Sequence, residues 1–128
     1  MGKFMILHLE DDPALKETVM ELLMMLEPDS EVHQFTNSDD ALRFIESGGS
    51  QINVFLLDVR VPGQTDGIGV AKRIRALNID SPIIFMSAYQ RPAGTDLNDT
   101  LNFEWIKKPW SVEQLIGILE RAHASTEA

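Results

Sequence analysis

The chain contains no cysteine, one tyrosine and two tryptophans among 128 residues, and it has far fewer basic than acidic side chains. The first absence excludes disulfides, thiol catalysis and cysteine metal sites. The shortage of lysine and arginine leaves a formal charge of −9, which argues against direct binding to nucleic acid, because that needs a basic patch to displace counterions. No apolar run approaches the ~20 residues of a membrane helix. The N-terminus offers a single lysine and a short apolar stretch that reads as a strand, so neither a signal peptide nor a membrane partner is expected. A cytoplasmic protein is the expectation. The three histidines, at 8, 33 and 123, lack metal-ligand spacing and read as core-edge or surface residues.

What is present is a 44% hydrophobic chain of single-domain length. Short apolar runs alternate with longer helical patterns. Residues 4–9 read as a buried strand, followed by a helix that Asp12 caps and Pro13 begins, with Leu15, Val19, Leu22 and Leu26 on one face. A short strand is expected at 31–35. A helix capped by Ser38 or Asp39 then carries Ala41, Leu42 and Ile45 to Gly48-Gly49. Residues 53–58 form a third strand, apolar throughout and so buried on both faces. A loop over 60–67 leads to a helix with Val70, Ala71, Ile74 and Leu77. Strands at 83–87 and 103–107 and a final helix bearing Val112, Leu115, Ile116 and Leu119 complete the pattern. Residues 1–124 make the domain and 125–128 a polar tail. The stretch 90–102 is rich in turn formers, and a short helix around 96–101 or irregular chain is expected there. Five βα units of this length imply an α/β protein: a doubly wound parallel sheet with helices on both faces.

Four of these runs end in polar groups: Glu10-Asp11-Asp12, Asp58, Ser87 and Lys108. The C-terminal edge of such a sheet is where ligands bind, and parallel strands would bring the four together. Carboxylates without histidine or cysteine suit Mg²⁺, which takes one or two carboxylates plus phosphate oxygens. Asp11 is the expected direct ligand, with Glu10 reaching the ion at longer range through water. Asp58 is then either a strand-terminating residue that accepts backbone N–H bonds, or a carboxylate nucleophile that takes a phosphoryl group. Ser87 and Lys108 can serve phosphoryl oxygens as hydroxyl donor and point charge.

The combination of Glu10-Asp11-Asp12, Asp58 followed by Pro62-Gly63, Ser87-Ala88 and Lys108-Pro109 resembles the response-regulator receiver domain of two-component signalling. The likeness runs through the whole chain in order. It implies a flavodoxin-like (βα)5 sheet of strand order 2-1-3-4-5, with Asp58 as phospho-acceptor. Mg²⁺ would be held by Glu10, Asp11, Asp58 and the backbone carbonyl of Arg60. Lys108 would bind phosphate before a cis bond to Pro109, and Ser87 would be the switch hydroxyl. Trp105 stands where the family usually has Tyr or Phe as the second switch residue. Arg60 and Tyr89 occupy positions that influence phosphate lifetime. The donor would be a histidine kinase or histidine phosphotransfer protein, and the output a homodimer or effector contact through 90–102, the fifth strand and the last helix. The domain would catalyse its own phosphorylation and dephosphorylation while acting as a switch. Gln64-Thr65 add one residue to the usual loop.

Three other readings compete. A degenerate receiver would dock proteins without phosphorylation. An aspartate-nucleophile phosphatase would usually place a second Asp at position 60, where Arg60 stands. A flavin-binding flavodoxin would need a Gly- and hydroxyl-rich loop after the first strand, which this chain lacks.

Overall fold

The computed structural model describes residues 2–92 and 101–127. Five strands, β1 (Met5–Leu9), β2 (Glu31–Phe35), β3 (Val54–Leu57), β4 (Ile83–Ser87) and β5 (Glu104–Lys107), form one sheet in the order β2-β1-β3-β4-β5. Every pairing is parallel. Among the described residues the helices are α1 (Pro13–Leu26), α2 (Ser38–Gly48), α3 (Gly67–Ala76) and α4 (Val112–Glu127), with a 3-10 turn at Gly49–Gln51. Helix α4 thus continues into the polar residues read as a tail. The expected short helix around 96–101 falls almost wholly outside the described residues. None of the described helices is long and apolar enough to cross a membrane.

The two-residue period of the strands divides the core into two layers. Leu7, Leu9, Phe55, Leu57, Ile83 and Phe85 face one way and pack with residues of α2 and α3. Ile6, Val54, Leu56, Ile84 and Met86 face the other way and meet α1 and α4. Strand β3 is buried throughout, as its unbroken apolar run requires.

Caps fix where the helices begin. Asp12 Oδ1 accepts the amides of Ala14 and Leu15 at 3.0 and 3.3 Å, and Pro13 follows at the first helical position. For α2 the cap is Asn37, one residue before the pair expected from sequence, and its side chain accepts from the Asp40 amide at 2.8 Å. Ser38 is instead the first helical residue and is fully buried. Ser111 and Gln114 form a reciprocal capping pair ahead of α4, each side chain bonding the other's backbone N–H, at 3.1 and 2.8 Å.

His8 lies in the core on the α1 side of β1. It is 2% exposed, with Nδ1 accepting from Gln34 at 3.1 Å, while Gln34 also donates to the Lys16 carbonyl. Burial, aided by the charges of Lys108 and Lys16, pushes its pKa down to about 3, so the ring is neutral.

Candidate phosphoryl and metal site

Register brings the polar groups together. Leu9 pairs with Leu57, so Glu10 and Asp58 emerge side by side from β1 and β3. On the other flank Ser87 pairs with Lys107, and the Lys108 amide donates to the Ser87 carbonyl at 2.6 Å. The peptide bond between Lys108 and Pro109 is cis.

The Lys108 ammonium reaches across this edge to Glu10 Oε1 at 2.7 Å and to Asp58 Oδ2 at 3.1 Å. The remaining carboxylate oxygens are also engaged. Glu10 Oε2 accepts from the Asp12 amide at 3.1 Å, and Asp58 Oδ1 accepts from the Val59 amide at 2.8 Å. Glu10 is 2% exposed. Burial raises its pKa, with the neighbouring Asp58 charge acting in the same sense, against the opposing effects of Lys108 and the Asp12 amide. Burial would lower the Lys108 pKa, but the Glu10 hydrogen bond and the Asp58 and Glu10 charges outweigh it, so the lysine is held above its ordinary value.

Asp11 is exposed beside this pair, and oxygens of Glu10, Asp11 and Asp58 all lie within 4.8 Å of one another. Among the described residues this is the one place where three acidic or histidine side chains converge in that way. The donors are all hard oxygens of formally negative groups, the ligand chemistry that Mg²⁺ takes. The Glu10 carboxylate turns inward to Lys108.

Ser87 is fully buried and its Oγ accepts from the Tyr89 amide at 3.1 Å. Trp105 pairs with Phe85 across β4 and β5, with ring centroids 5.3 Å apart. Its indole N–H donates to the Tyr89 carbonyl at 3.0 Å. The Arg60 guanidinium lies over the Tyr89 ring, 4.2 Å from its centroid. The two side chains that sequence singled out for phosphate lifetime therefore touch each other.

The loop after Asp58 is fastened at several points that sequence reasoning missed. The Ser38 amide donates to the Pro62 carbonyl at 2.9 Å. The Thr65 amide reaches Ser38 Oγ at 3.4 Å and the Gln64 amide reaches Asp39 Oδ1 at 3.3 Å. Gly63 has φ +125°, and a Cβ there would overlap Ser38 Oγ. Gly67 donates to the Val59 carbonyl at 2.7 Å and packs so closely on the Asp58 carbonyl that a Cβ would collide with it. Asp66 caps α3 through the Gly69 amide at 2.9 Å. The glycines carried a legible signal; Ser38, which Gly63 meets, did not.

Known proteins share this fold. The family model described as "Response regulator receiver domain" matches residues 6–120. The transcriptional regulatory protein DltR of Streptococcus agalactiae is 30% identical over 115 residues, covering 87% of this chain and 48% of that protein. The chain thus spans about half the length, or less, of the first curated relatives it matches. A receiver domain described as CheY-like, from Methylobacillus flagellatus, superposes at a TM-score of 0.77 with 26% identity, covering 94% of this chain and 99% of that one. The response regulator TrrA of Thermotoga maritima, solved in complex with Mg²⁺ and BeF, gives 0.76 and 27%, covering 93% and 98%. With the family model matched over nearly its whole length, this chain belongs to the response-regulator receiver domains.

Proposed function

We propose that Asp58 is the phospho-acceptor of this receiver, charged by a phosphohistidine on a histidine kinase or histidine phosphotransfer protein. The observation that carries this reading is the Lys108 ammonium poised between Glu10 and Asp58 at 2.7 and 3.1 Å. A carboxylate oxygen of Asp58 forms the new bond to phosphorus, and the donor imidazole leaves with the electron pair of the broken N–P bond. Little covalent help is needed, since positioning and charge neutralisation dominate such transfers. Lys108 can exchange its carboxylate partners for a phosphoryl oxygen without travelling far. The Ser87 hydroxyl is on hand to donate to another.

Glu10, Asp11, Asp58 and the backbone carbonyl of Arg60 would hold Mg²⁺. The ion, when bound, supplies positive charge that offsets the carboxylates and the incoming phosphoryl oxygens. The chain thereby catalyses its own phosphorylation, yet its work is to switch. Movement of Ser87 toward the phosphoryl group would be relayed through Trp105 to the surface of β5 and α4, while the expected contribution of 90–102 lies mostly outside the described residues. Val112 and Ile116 are partly exposed and stand one turn apart on α4, which suits a homodimer or effector contact on that face. We take residues 1–124 as the receiver unit with 125–128 following it, acting in the cytoplasm where such donors are charged.

The test is incubation with acetyl phosphate and Mg²⁺ followed by intact-mass measurement. One phosphoryl group is expected on the wild type. None is expected on Asp58→Asn, nor on the wild type after chelation with EDTA. A wild type that stays unlabelled would leave a docking module as the better description.

A further inference from the structure

We infer that Trp105 is a positioning residue for the lifetime of the aspartyl phosphate, acting through Tyr89 and Arg60; this rests on Asp58 being the acceptor. Tyr89 is half exposed, and Arg60 beside it is exposed. A guanidinium over an aromatic ring at so exposed a site is a weak contact on its own. What fixes the tyrosine is its main chain. The N–H is spent on Ser87 Oγ at 3.1 Å and the carbonyl on the Trp105 indole at 3.0 Å. With its backbone held at both ends, the tyrosine carries its ring 4.2 Å from the guanidinium of Arg60, which follows β3 as Tyr89 follows β4. Asp58 follows β3 and Ser87 ends β4, so in this inference the Arg60–Tyr89 stack is the screen over the approach to the carboxylate.

The indole is essential to this arrangement. Its N–H is a donor only, and a phenyl ring in its place has none. Hydrolysis of the phosphate forms a bond from a water oxygen to phosphorus and breaks the bond from phosphorus to the Asp58 oxygen, which keeps the electron pair. The water protons leave with inorganic phosphate, one of them passing to solvent. Water must reach phosphorus for this, and the stack stands in its way. Once the Tyr89 carbonyl is released the stack loosens and water gains access.

The experiment is to label the full chain with acetyl phosphate, remove the donor and follow the decay of the phosphorylated mass. Trp105→Phe keeps an aromatic ring against Phe85 and is expected to shorten the half-life about fivefold, the effect of one neutral hydrogen bond. Tyr89→Ala is expected to shorten it at least as much. Adding Trp105→Phe to Tyr89→Ala should change nothing further, because the ring that the indole positions is gone. A Trp105→Phe half-life equal to that of wild type, or effects that multiply in the double variant, would overturn the inference while leaving Asp58 as acceptor. A wild type that takes no label would overturn both. Should Trp105→Phe fold poorly, exchange of the wild-type indole N–H with solvent decides: slow exchange is expected, and free exchange removes the hydrogen bond on which the inference depends.

Discussion

The two ends of the sheet differ in a way that bears on how a site is found. At the N-terminal ends of the strands a cavity of about 700 Å³ opens between Lys3, Phe4, Glu31, Asn53, His123 and Thr126. Beside it the His123 ring meets the Glu27 carboxylate at 2.6 Å, with side chains that are 40% and 20% exposed. At the C-terminal ends, Lys108, Glu10 and Asp58 form pairs at 2.7 and 3.1 Å with side chains only 19%, 3% and 11% exposed. The roomy end leaves its polar contact partly in water, where such a contact is worth little. The crowded end has removed charge from water and holds it against like charge, an arrangement with a stability cost that a functional site can justify. Desolvated charge, rather than room, locates the chemistry here.

Breaking the pair at each end tests that contrast most directly. Lys108→Ala is expected to destabilise the fold by about 3 kcal/mol in urea unfolding at neutral pH. This is the lower part of the range for a buried pair broken from one side, because Glu10 can take up a proton. Added Mg²⁺ should restore part of the loss. A drop below about 1 kcal/mol would make the two ends alike.

His8 supplies the next largest effect. Its pKa is depressed in the folded protein, to about 3 against 6.5 ordinarily, so the unfolded chain binds the proton first. The stability it contributes is complete above about pH 6.5 and is lost as pH falls toward 3, at a slope approaching ~1.4 kcal/mol per pH unit. Urea unfolding between about pH 7 and pH 5 should show that slope in wild type and lack it in His8→Leu. Equal slopes would mean the ring is not the buried titrating group.

Smaller effects refine the comparison. Asn37→Ala, a neutral cap near the charged end, should lower stability by about 1 kcal/mol. His123→Gln at the roomy end should change it by less than about 1 kcal/mol. If His123→Gln proved the more damaging of the two, the N-terminal end would be more than a solvated rim.

The sequence revealed most where the physics is local or periodic. The unbroken apolar run through β3, the alternation with helical stretches and Pro13 after Asp12 each follow from one segment's own residues, and strand boundaries agree with the structure to within a residue at each end. Asp58, Ser87 and Lys108 were legible because each closes an apolar run, and parallel strands leave those ends adjacent. The α2 cap was misread because Asn37, Ser38 and Asp39 are all good capping residues, and only backbone geometry chooses among them. The Ser111–Gln114 pair has a recognisable spacing that apolar periodicity passes over. The His8–Gln34 bond, the Arg60–Tyr89 stack and the inward turn of Glu10 were not legible, since each joins residues from different segments and depends on side-chain direction.

The contact between Ser38 and the turn at Gly63 bears on how this family tolerates variation in length. Because the chain is held to the start of α2 through Ser38 and Asp39 on one side and to the Val59 carbonyl through the Gly67 amide on the other, Gln64 and Thr65 lie between two anchors. Surplus chain is taken up where it displaces nothing, and the carboxylate keeps its place on the strand. A residue added between Asp58 and Pro62 would have no such slack, so natural insertions should gather on the far side of the proline.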